Sequence, residues 1–193
     1  MSERLITSMI QKRQKKETES SMHKIRLSSN CIKDSTVDGP GLRIVIWTQG
    51  CLHNCKGCHN PNTHDVNGGF LEEADNIIKY INESKLQRGI TLSGGEPFMQ
   101  PLELIPVAKA AINKGLNVWA YSGYTYEQIT ADKNKKALLD YVDVLVDSPF
   151  IIEQKDERLT YKGSKNQRII DVKQSYKENK VVLSRYDDVN ADF

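Results

Sequence analysis

The stretch LRIVIWTQGCLHNCKGCHNP, residues 42–61, joins a continuous apolar run to a loop that holds three of the four cysteines of the chain. The apolar run is typical of a buried parallel strand that is covered on both faces. Cys51, Cys55 and Cys58 follow where that strand ends. Because loops at the carboxyl ends of parallel strands form the active sites of α/β folds, we expect a thiol-rich site at one edge of a parallel sheet.

The spacing of the cysteines, C-x3-C-x2-C, places three thiols on one tight loop. A closed structural zinc site needs four ligands, whereas an iron–sulfur cluster held by three cysteines leaves one iron free for a substrate or cofactor. A zinc site completed by His53 or His59 remains an alternative, since three cysteines and one histidine form a standard set. Cys55 to His59 also matches the C-x-x-C-H pattern of covalent haem attachment, but that reading leaves Cys51 unexplained.

The rest of the chain alternates between extended and helical patterns, which predicts parallel strands joined by right-handed crossovers with helices outside. Closed eight-fold barrels need about 250 residues, so the 193 residues of this chain predict a single-domain, partial (open) βα barrel. The predicted strands cover 24–27, 42–48, 89–92, 116–121, 143–146 and 169–172, and the predicted helices cover 71–83, 102–113 and 126–141. We expect the domain to span 24–175, after a weakly ordered extension over 1–23 and before a loosely held tail over 176–193.

The predicted strand ends carry small or polar residues that would converge at one edge of a parallel sheet. Gly94 and Gly95 allow the backbone to approach a ligand closely, and Glu96 can pair with an ammonium group. Ser122-Gly123 and Asp147 follow the next two strands. Each of these elements is also compatible with an ordinary turn or helix start, and their convergence is what favours a binding site.

Composition indicates which binding partners, which cellular compartment and which cysteine chemistry to expect. The formal net charge is +2 with both signs interspersed, which favours neither nucleic acid nor a membrane surface as a partner. Because residues 1–23 lack the apolar centre of a signal peptide, we expect a cytoplasmic protein. Thiols stay reduced in that compartment, so the cysteines are expected to be ligands rather than disulfides, except Cys31, which we expect to be a small, half-buried residue.

Several motifs together resemble the radical S-adenosylmethionine (SAM) superfamily, and within it the activating enzymes of the anaerobic, class III ribonucleotide reductases. They are the cysteine loop, VDGPGLR at 37–43, SGGEP at 93–97, DSPF at 147–150 and GSKNQR at 163–168. The resemblance implies that Cys51, Cys55 and Cys58 ligate a [4Fe-4S] cluster. It also implies that the open iron takes the amino and carboxylate groups of SAM.

The same resemblance assigns further residues to the cofactor. Gly94, Gly95 and Glu96 match the element that holds the methionyl amino group. Backbone atoms of Gly57, Cys58 and His59 would border the adenine. Ser122 and Gly123 would lie near the ribose or carboxylate, with Asp147 as a further candidate. Many superfamily members have an aromatic residue where this chain has Gly57, and that departure points toward the reductase activases.

The implied activity is that of an oxidoreductase, a glycyl-radical enzyme activase. A reduced cluster would cleave SAM and thereby generate a glycyl radical on the anaerobic reductase, with no side chain acting as acid or base. The implied partners are that reductase and a low-potential electron donor such as flavodoxin. Two alternatives stay open at this point: an activase of another glycyl-radical enzyme such as pyruvate formate-lyase, and a non-enzymatic, zinc-stabilised binding module.

Overall fold

The computed structural model describes residues 24–187, which fold around one mixed sheet. The eight strands within these residues are β1 Lys24–Leu27, β2 Ile32–Ser35, β3 Arg43–Thr48, β4 Phe70–Glu73, β5 Gly89–Gly94, β6 Asn117–Tyr121, β7 Val144–Asp147 and β8 Arg168–Asp171. The α-helices are α1 Ala74–Asn82, α2 Pro101–Asn113, α3 Tyr126–Ala131, α4 Lys133–Leu139 and α5 Val172–Glu178. The extension predicted over 1–23 lies outside the described residues.

The centre of the sheet is parallel, as the sequence predicted. The strands lie in the order β4-β1-β3-β5-β6-β7-β8, with β2 also paired to β3, and the run from β3 to β7 is parallel throughout. The outer strands β1, β2, β4 and β8 all pair antiparallel, which the predicted parallel arrangement did not include. A parallel partner needs a crossover connection, and the segment 148–167 between β7 and β8 contains only a 3₁₀ turn, Ile152–Gln154.

Both faces of the central strands are buried, which explains the continuous apolar run in β3. Ile44 and Ile46 pack into the main core with the helices. On the opposite face, inside the partial barrel, Trp119 forms a second cluster with Val146 and Ile169. Strands β6, β7 and β8 therefore contribute to both apolar layers, whereas β3 and β5 carry a buried polar pair, Arg43 and Thr91.

Two predicted helices differ from the observed ones for local reasons. The helix predicted over 71–83 begins at Ala74, because the preceding residues pair as an edge strand with β1, with Lys24 opposite Glu73. The helix predicted over 126–141 is broken at Asp132, whose carboxylate accepts hydrogen bonds from the backbone N–H groups of Asn134 and Lys135. Asp132 thereby starts a second helix, α4.

The prediction of a loosely held tail from residue 176 is wrong for the part of the tail that the structure describes. Helix α5 continues to Glu178, and the backbone N–H of Ser184 donates to the carbonyl of Ile169 at 2.7 Å. Lys162 pairs with Asp187 at 2.8 Å, and both side chains are largely buried. The packed region therefore extends beyond the predicted boundary at 175. Within residues 24–187, none of the helices has the length and apolar character needed to cross a membrane.

Candidate functional site

The cysteine loop leaves the end of β3 and is held directly against the end of β5. The backbone N–H of Gly95 donates to the carbonyl of Thr48, and that of Glu96 donates to the carbonyl of Gly50, both at 2.8 Å. A Cβ atom on Gly94 would lie 2.4 Å from the Thr48 carbonyl oxygen, and one on Gly95 would lie 2.5 Å from that of Gly50. The glycine pair therefore lets two backbones meet, which is a different reason from the close ligand approach that we predicted.

The remainder of the loop is folded by its own backbone. Gly57 has φ +74°, in the left-handed region that favours glycine, and it forms the turn between Cys55 and Cys58. The backbone N–H of Cys58 donates to the carbonyl of Cys55 at 3.1 Å. At the start of the loop, the N–H of Cys51 donates to the carbonyl of His64 at 3.2 Å. These bonds hold the backbone that carries the three cysteines in one conformation.

The three loop cysteines line one cavity of about 150 Å³ at the carboxyl end of the parallel strands. Their thiols are free, and each side chain is partly buried. The remaining lining residues include most of the predicted cofactor contacts, namely Gly94, Gly95, Glu96, Ser122 and Gly123, together with His53, Asn60, Ser93, Tyr121, Ser148, Phe150 and Gln167. The structure thus brings the cysteine loop, the Gly-Gly-Glu element and the Ser-Gly turn together.

A second cavity of about 400 Å³ adjoins the first and shares six lining residues with it, which are Cys58, Asn60, Ser93, Tyr121, Phe150 and Gln167. This volume falls within the range of about 300–1,000 Å³ that is usual for small-molecule sites. His59 lines this cavity, and its ring packs against that of Phe150 with a centroid distance of 4.9 Å. Gly57 does not line either cavity. It faces Ile152, and a Cβ atom added to Gly57 would lie 2.9 Å from Ile152 Cδ1.

Glu96 is the central anion of the site, and its side chain is only 1% exposed. Its Oε1 atom accepts hydrogen bonds from the Phe98 N–H and the Ser122 hydroxyl, both at 2.9 Å. Its Oε2 atom accepts from the Gly123 N–H at 2.8 Å and from His53 Nε2 at 3.0 Å. The carboxylate is therefore satisfied by hydrogen-bond donors, without a lysine or arginine beside it among these partners.

Protonation of the first cysteine depends on its surroundings. Burial raises the pKa of the Cys51 thiol, the backbone N–H of His53 opposes that rise, and the nearby charges of Glu96 and Cys55 add to it. Since a metal binds the thiolate, ligation at this position must release the proton. Cys31 lies apart from this site, where the hydroxyl of Tyr80 in α1 donates to its carbonyl at 3.3 Å.

The donor set fits a cluster better than a single ion. In the part of the chain from 24 to 187, no three His, Cys, Asp or Glu side chains gather closely enough to hold one metal ion. A cubane cluster instead takes each thiolate on a different iron, so its ligands surround a volume. Three free thiols around one cavity, beside a buried anion, provide that arrangement.

Comparison with known proteins supports this reading. A family model described as a 4Fe-4S single cluster domain matches residues 37–170. Anaerobic ribonucleoside-triphosphate reductase-activating proteins from Vibrio cholerae, Haemophilus influenzae and Escherichia coli K12 are 39%, 35% and 36% identical to this chain. The matches cover 69%, 69% and 68% of this chain and 90%, 90% and 89% of the relatives. The chain belongs to this family of activating proteins.

The family match supports a [4Fe-4S] cluster as a cofactor of this chain, as the sequence predicted. A crystal structure of QueE from Escherichia coli superposes with a TM-score of 0.44 and 15% identity, over 55% of each chain. That likeness is too low to carry the assignment, which depends on the activating proteins and the cluster domain.

Asp147 differs from the other predicted cofactor contacts, because it is fully buried and paired with an arginine. Arg168 donates from Nε to Oδ1 at 3.0 Å and from Nη2 to Oδ2 at 2.5 Å. The Tyr126 N–H, at the start of α3, donates to Oδ2 at 2.7 Å. The hydrogen bonds that Arg168 donates to Asp147 and then to Glu127 raise the pKa of its guanidinium. These contacts occupy the carboxylate within the protein, and none of them supports the predicted role toward SAM.

Sequence reasoning missed the bond between His53 and Glu96, because it joins residues 43 positions apart. His53 was considered only as a zinc ligand or as a polar loop residue. It also missed Phe150 and Gln167 as lining residues of the cavity. The available signal was their position within DSPF and GSKNQR, segments that carried the family resemblance without an assigned role.

Proposed function

We propose that Cys51, Cys55 and Cys58 hold the [4Fe-4S] cluster and that Glu96 receives the amino group of SAM. On this basis the chain generates a glycyl radical on an anaerobic ribonucleoside-triphosphate reductase. The observation that carries the proposal is the single cavity that the three thiols share with Gly94, Gly95 and Glu96. No other part of the described chain combines three free thiols with a buried anion.

When bound and reduced at Cys51, Cys55 and Cys58, the cluster would supply the electron for reductive cleavage of SAM, which is the chemistry that glycyl-radical formation on the reductase requires. The chain contributes position and charge. The loop bonds described above hold the backbone that carries the cysteines against the end of β5. The negative charge of Glu96 strengthens a hydrogen bond that the amino group donates to it, because a charge-assisted hydrogen bond is about twice as strong as a neutral one.

The surroundings of Glu96 also define its orientation. The Phe98 and Gly123 N–H groups and the Ser122 hydroxyl donate to both oxygens of the carboxylate and thereby hold it in one orientation. Such a fixed anion can orient a ligand without reorganising as the ligand binds. We therefore assign Ser122 and Gly123 a positioning role through Glu96, in addition to the proposed proximity to the ribose or carboxylate.

The adjoining cavity of about 400 Å³ provides room for the remainder of SAM. Cys58 and His59 line it, and the ring of Phe150 packs against His59. These positions support the proposal that backbone atoms of this part of the loop border the adenine. Gly57 would contribute through the turn that presents Cys58.

The proposed partners are the anaerobic reductase and a low-potential electron donor such as flavodoxin. The relatives named above are activating proteins of that reductase, which supports it over pyruvate formate-lyase as the target. The balanced net charge of +2 gives no reason to propose nucleic acid or a membrane as a partner. We place the reaction in the cytoplasm.

The test is reductive SAM cleavage by the full chain. The protein is reconstituted anaerobically with iron and sulfide, reduced and supplied with SAM, and 5′-deoxyadenosine and methionine are quantified. We expect both products in equal amounts, their loss in Cys55→Ser, and their retention in the matched control Cys31→Ser. A wild-type protein that holds one tight zinc ion and forms neither product would overturn the proposal.

A further inference from the structure

Glu96 accepts four hydrogen bonds, two on each carboxylate oxygen. A carboxylate offers about four acceptor positions, so each is used by a protein donor. An amino group that binds to Glu96 must therefore either crowd these donors or replace one of them. Which donor can leave follows from how each of the four is held.

Three of the four donors are fixed. The donors on Phe98 and Gly123 are backbone N–H groups of segments packed beside the site. Ser122 is 6% exposed, and its hydroxyl also accepts a hydrogen bond from the Tyr124 N–H at 3.0 Å. Moving either N–H donor would displace the backbone, and turning the Ser122 side chain away would break its hydrogen bond with the Tyr124 N–H. None of them is free to make room for a ligand.

His53 is different, because it reaches Glu96 through a rotatable side chain from the cysteine loop. Its side chain is 20% exposed and lines the same cavity as the thiols. The imidazole packs edge-on against Tyr124, with ring centroids 4.5 Å apart. A Cβ on Gly123 would lie 2.4 Å from the His53 ring, so a side chain at position 123 would clash with the imidazole in its present position.

We propose that His53 is a place-holder on Glu96 that the amino group of SAM displaces. This inference rests on the proposed function. His53 ties the cysteine loop to the ends of β5 and β6, and it keeps the Oε2 atom of Glu96 hydrogen-bonded until the amino group takes that position. An amino group that ligates the open iron keeps two N–H donors, which the metal polarises, so it can replace the imidazole N–H on the carboxylate. His53 is a positioning residue, and SAM binding releases its side chain from the site.

The first test measures SAM affinity by anaerobic calorimetry on proteins with equal, verified cluster content. Removing the competing donor in His53→Ala should tighten SAM binding by about twofold to tenfold, the equivalent of one net hydrogen bond. His53→Gln retains an N–H donor of similar reach and should bind SAM as wild type does. Leu52→Ala, at an exposed neighbouring position, is the control for changes to the loop itself.

Gly123→Ala is a second way to separate His53 from Glu96. The added Cβ would occupy the space of the imidazole, while the histidine itself remains in the chain. This variant should also tighten SAM binding, and it keeps the proposal testable if His53→Ala fails to load the cluster. Before cluster loading, His53→Ala should melt about 2–5 °C below wild type, since Glu96 loses a partner, and His53→Gln should recover most of that loss.

The outcomes separate the two proposals. Unchanged or weaker SAM binding in both His53→Ala and Gly123→Ala, at full cluster content, would overturn the place-holder role while leaving the proposed function intact. A wild-type protein that carries a full cluster and binds no SAM would contradict the proposed function itself. Tighter binding in both variants, together with recovery in His53→Gln, is the result that we expect.

Discussion

Glu96 and Asp147 are two buried carboxylates at the carboxyl ends of parallel strands, and their partners differ in kind. Asp147 forms two hydrogen bonds with Arg168, a permanent cation. Glu96 is held by two backbone N–H groups, a hydroxyl and an imidazole. The side chains are 0% and 1% exposed, so burial alone does not distinguish them. The difference lies in whether the protein supplies the opposite charge.

We propose that this difference separates a structural carboxylate, Asp147, from a ligand-binding carboxylate, Glu96. Burying a carboxylate costs several kcal/mol unless a charge or hydrogen bonds compensate for it. Asp147 is compensated within the protein and also receives the first N–H of α3. Glu96 is compensated by hydrogen bonds alone, without a lysine or arginine among its partners, and it lies beside three thiols. The four predictions below test this contrast, in order of decreasing expected effect.

The largest effect should come from separating the cysteine loop from the end of β5. Gly94→Ala combines φ +103° with a Cβ 2.4 Å from the Thr48 carbonyl oxygen, and it should lower the free energy of unfolding by about 3 kcal/mol. Gly115→Ala is the matched control, because it has φ +80° and nothing within 4 Å of the added Cβ. It should cost about 1 kcal/mol. Urea denaturation measures both, and equal losses would contradict the close contact.

Glu96→Gln should weaken SAM binding by about tenfold to a hundredfold, because it removes the charge that complements the amino group. The protein should still load its cluster, since none of the cysteines is changed. Calorimetry at equal iron content gives the affinity. Wild-type affinity in this variant would mean that Glu96 is no more involved in binding than Asp147.

Asp147→Asn should reduce stability and leave SAM affinity nearly unchanged, which is the reverse of what we expect for Glu96→Gln. It breaks the pair with Arg168, and it should lower the free energy of unfolding by about 2 kcal/mol, because Arg168 is partly solvated and keeps Glu127 as a partner. SAM affinity of the folded protein should stay within about twofold of wild type. A loss of affinity comparable to that of Glu96→Gln, without a loss of stability, would restore the role that the sequence first suggested for Asp147.

The smallest effect concerns pH and Glu127. The hydrogen bond from Arg168 lowers the pKa of Glu127 from its ordinary 4.5 to about 2. A depressed carboxyl pKa stabilises the fold above pH 4.5, and that stabilisation is lost as the pH falls from 4.5 toward 2. Because Glu127 is more than half exposed, we expect less than about 1 kcal/mol.

The measurement is the difference in unfolding free energy between wild type and Glu127→Gln, taken between pH 6 and pH 3. The difference should shrink as the pH falls. A difference that grew toward pH 3 would have the wrong sign for this pair.

The parallel centre of the fold could be predicted because its signals are local. Apolar runs marked β3 and β7, and helical spacing marked α1 and α2, within single stretches of sequence. The antiparallel edge strand Phe70–Glu73 could not be predicted in the same way, since it exists only through pairing with β1. Its residues continue the helical spacing of the segment that follows, so local pattern and long-range pairing compete and pairing prevails.

The candidate site divides along the same line. The cysteine loop and the Gly-Gly-Glu element each occupy one short stretch of sequence, so the sequence alone could indicate both as candidate site elements. The distinction between Glu96 and Asp147 depends on Arg168, which lies 21 positions beyond Asp147, and on His53, which lies 43 positions before Glu96. No sequence pattern indicates that one carboxylate is neutralised and the other is not. The distinction required the three-dimensional partners of each group.

Electron paramagnetic resonance of the partner reductase is the most direct measurement of the proposed activity. The reductase is incubated anaerobically with the reconstituted chain, a reductant and SAM. We predict a glycyl radical signal that requires SAM, is absent with Cys55→Ala and is unchanged with Cys31→Ala. A reductase that shows no radical beside an activating protein with full [4Fe-4S] content, or a signal that persists in Cys55→Ala, would contradict the assignment of this site.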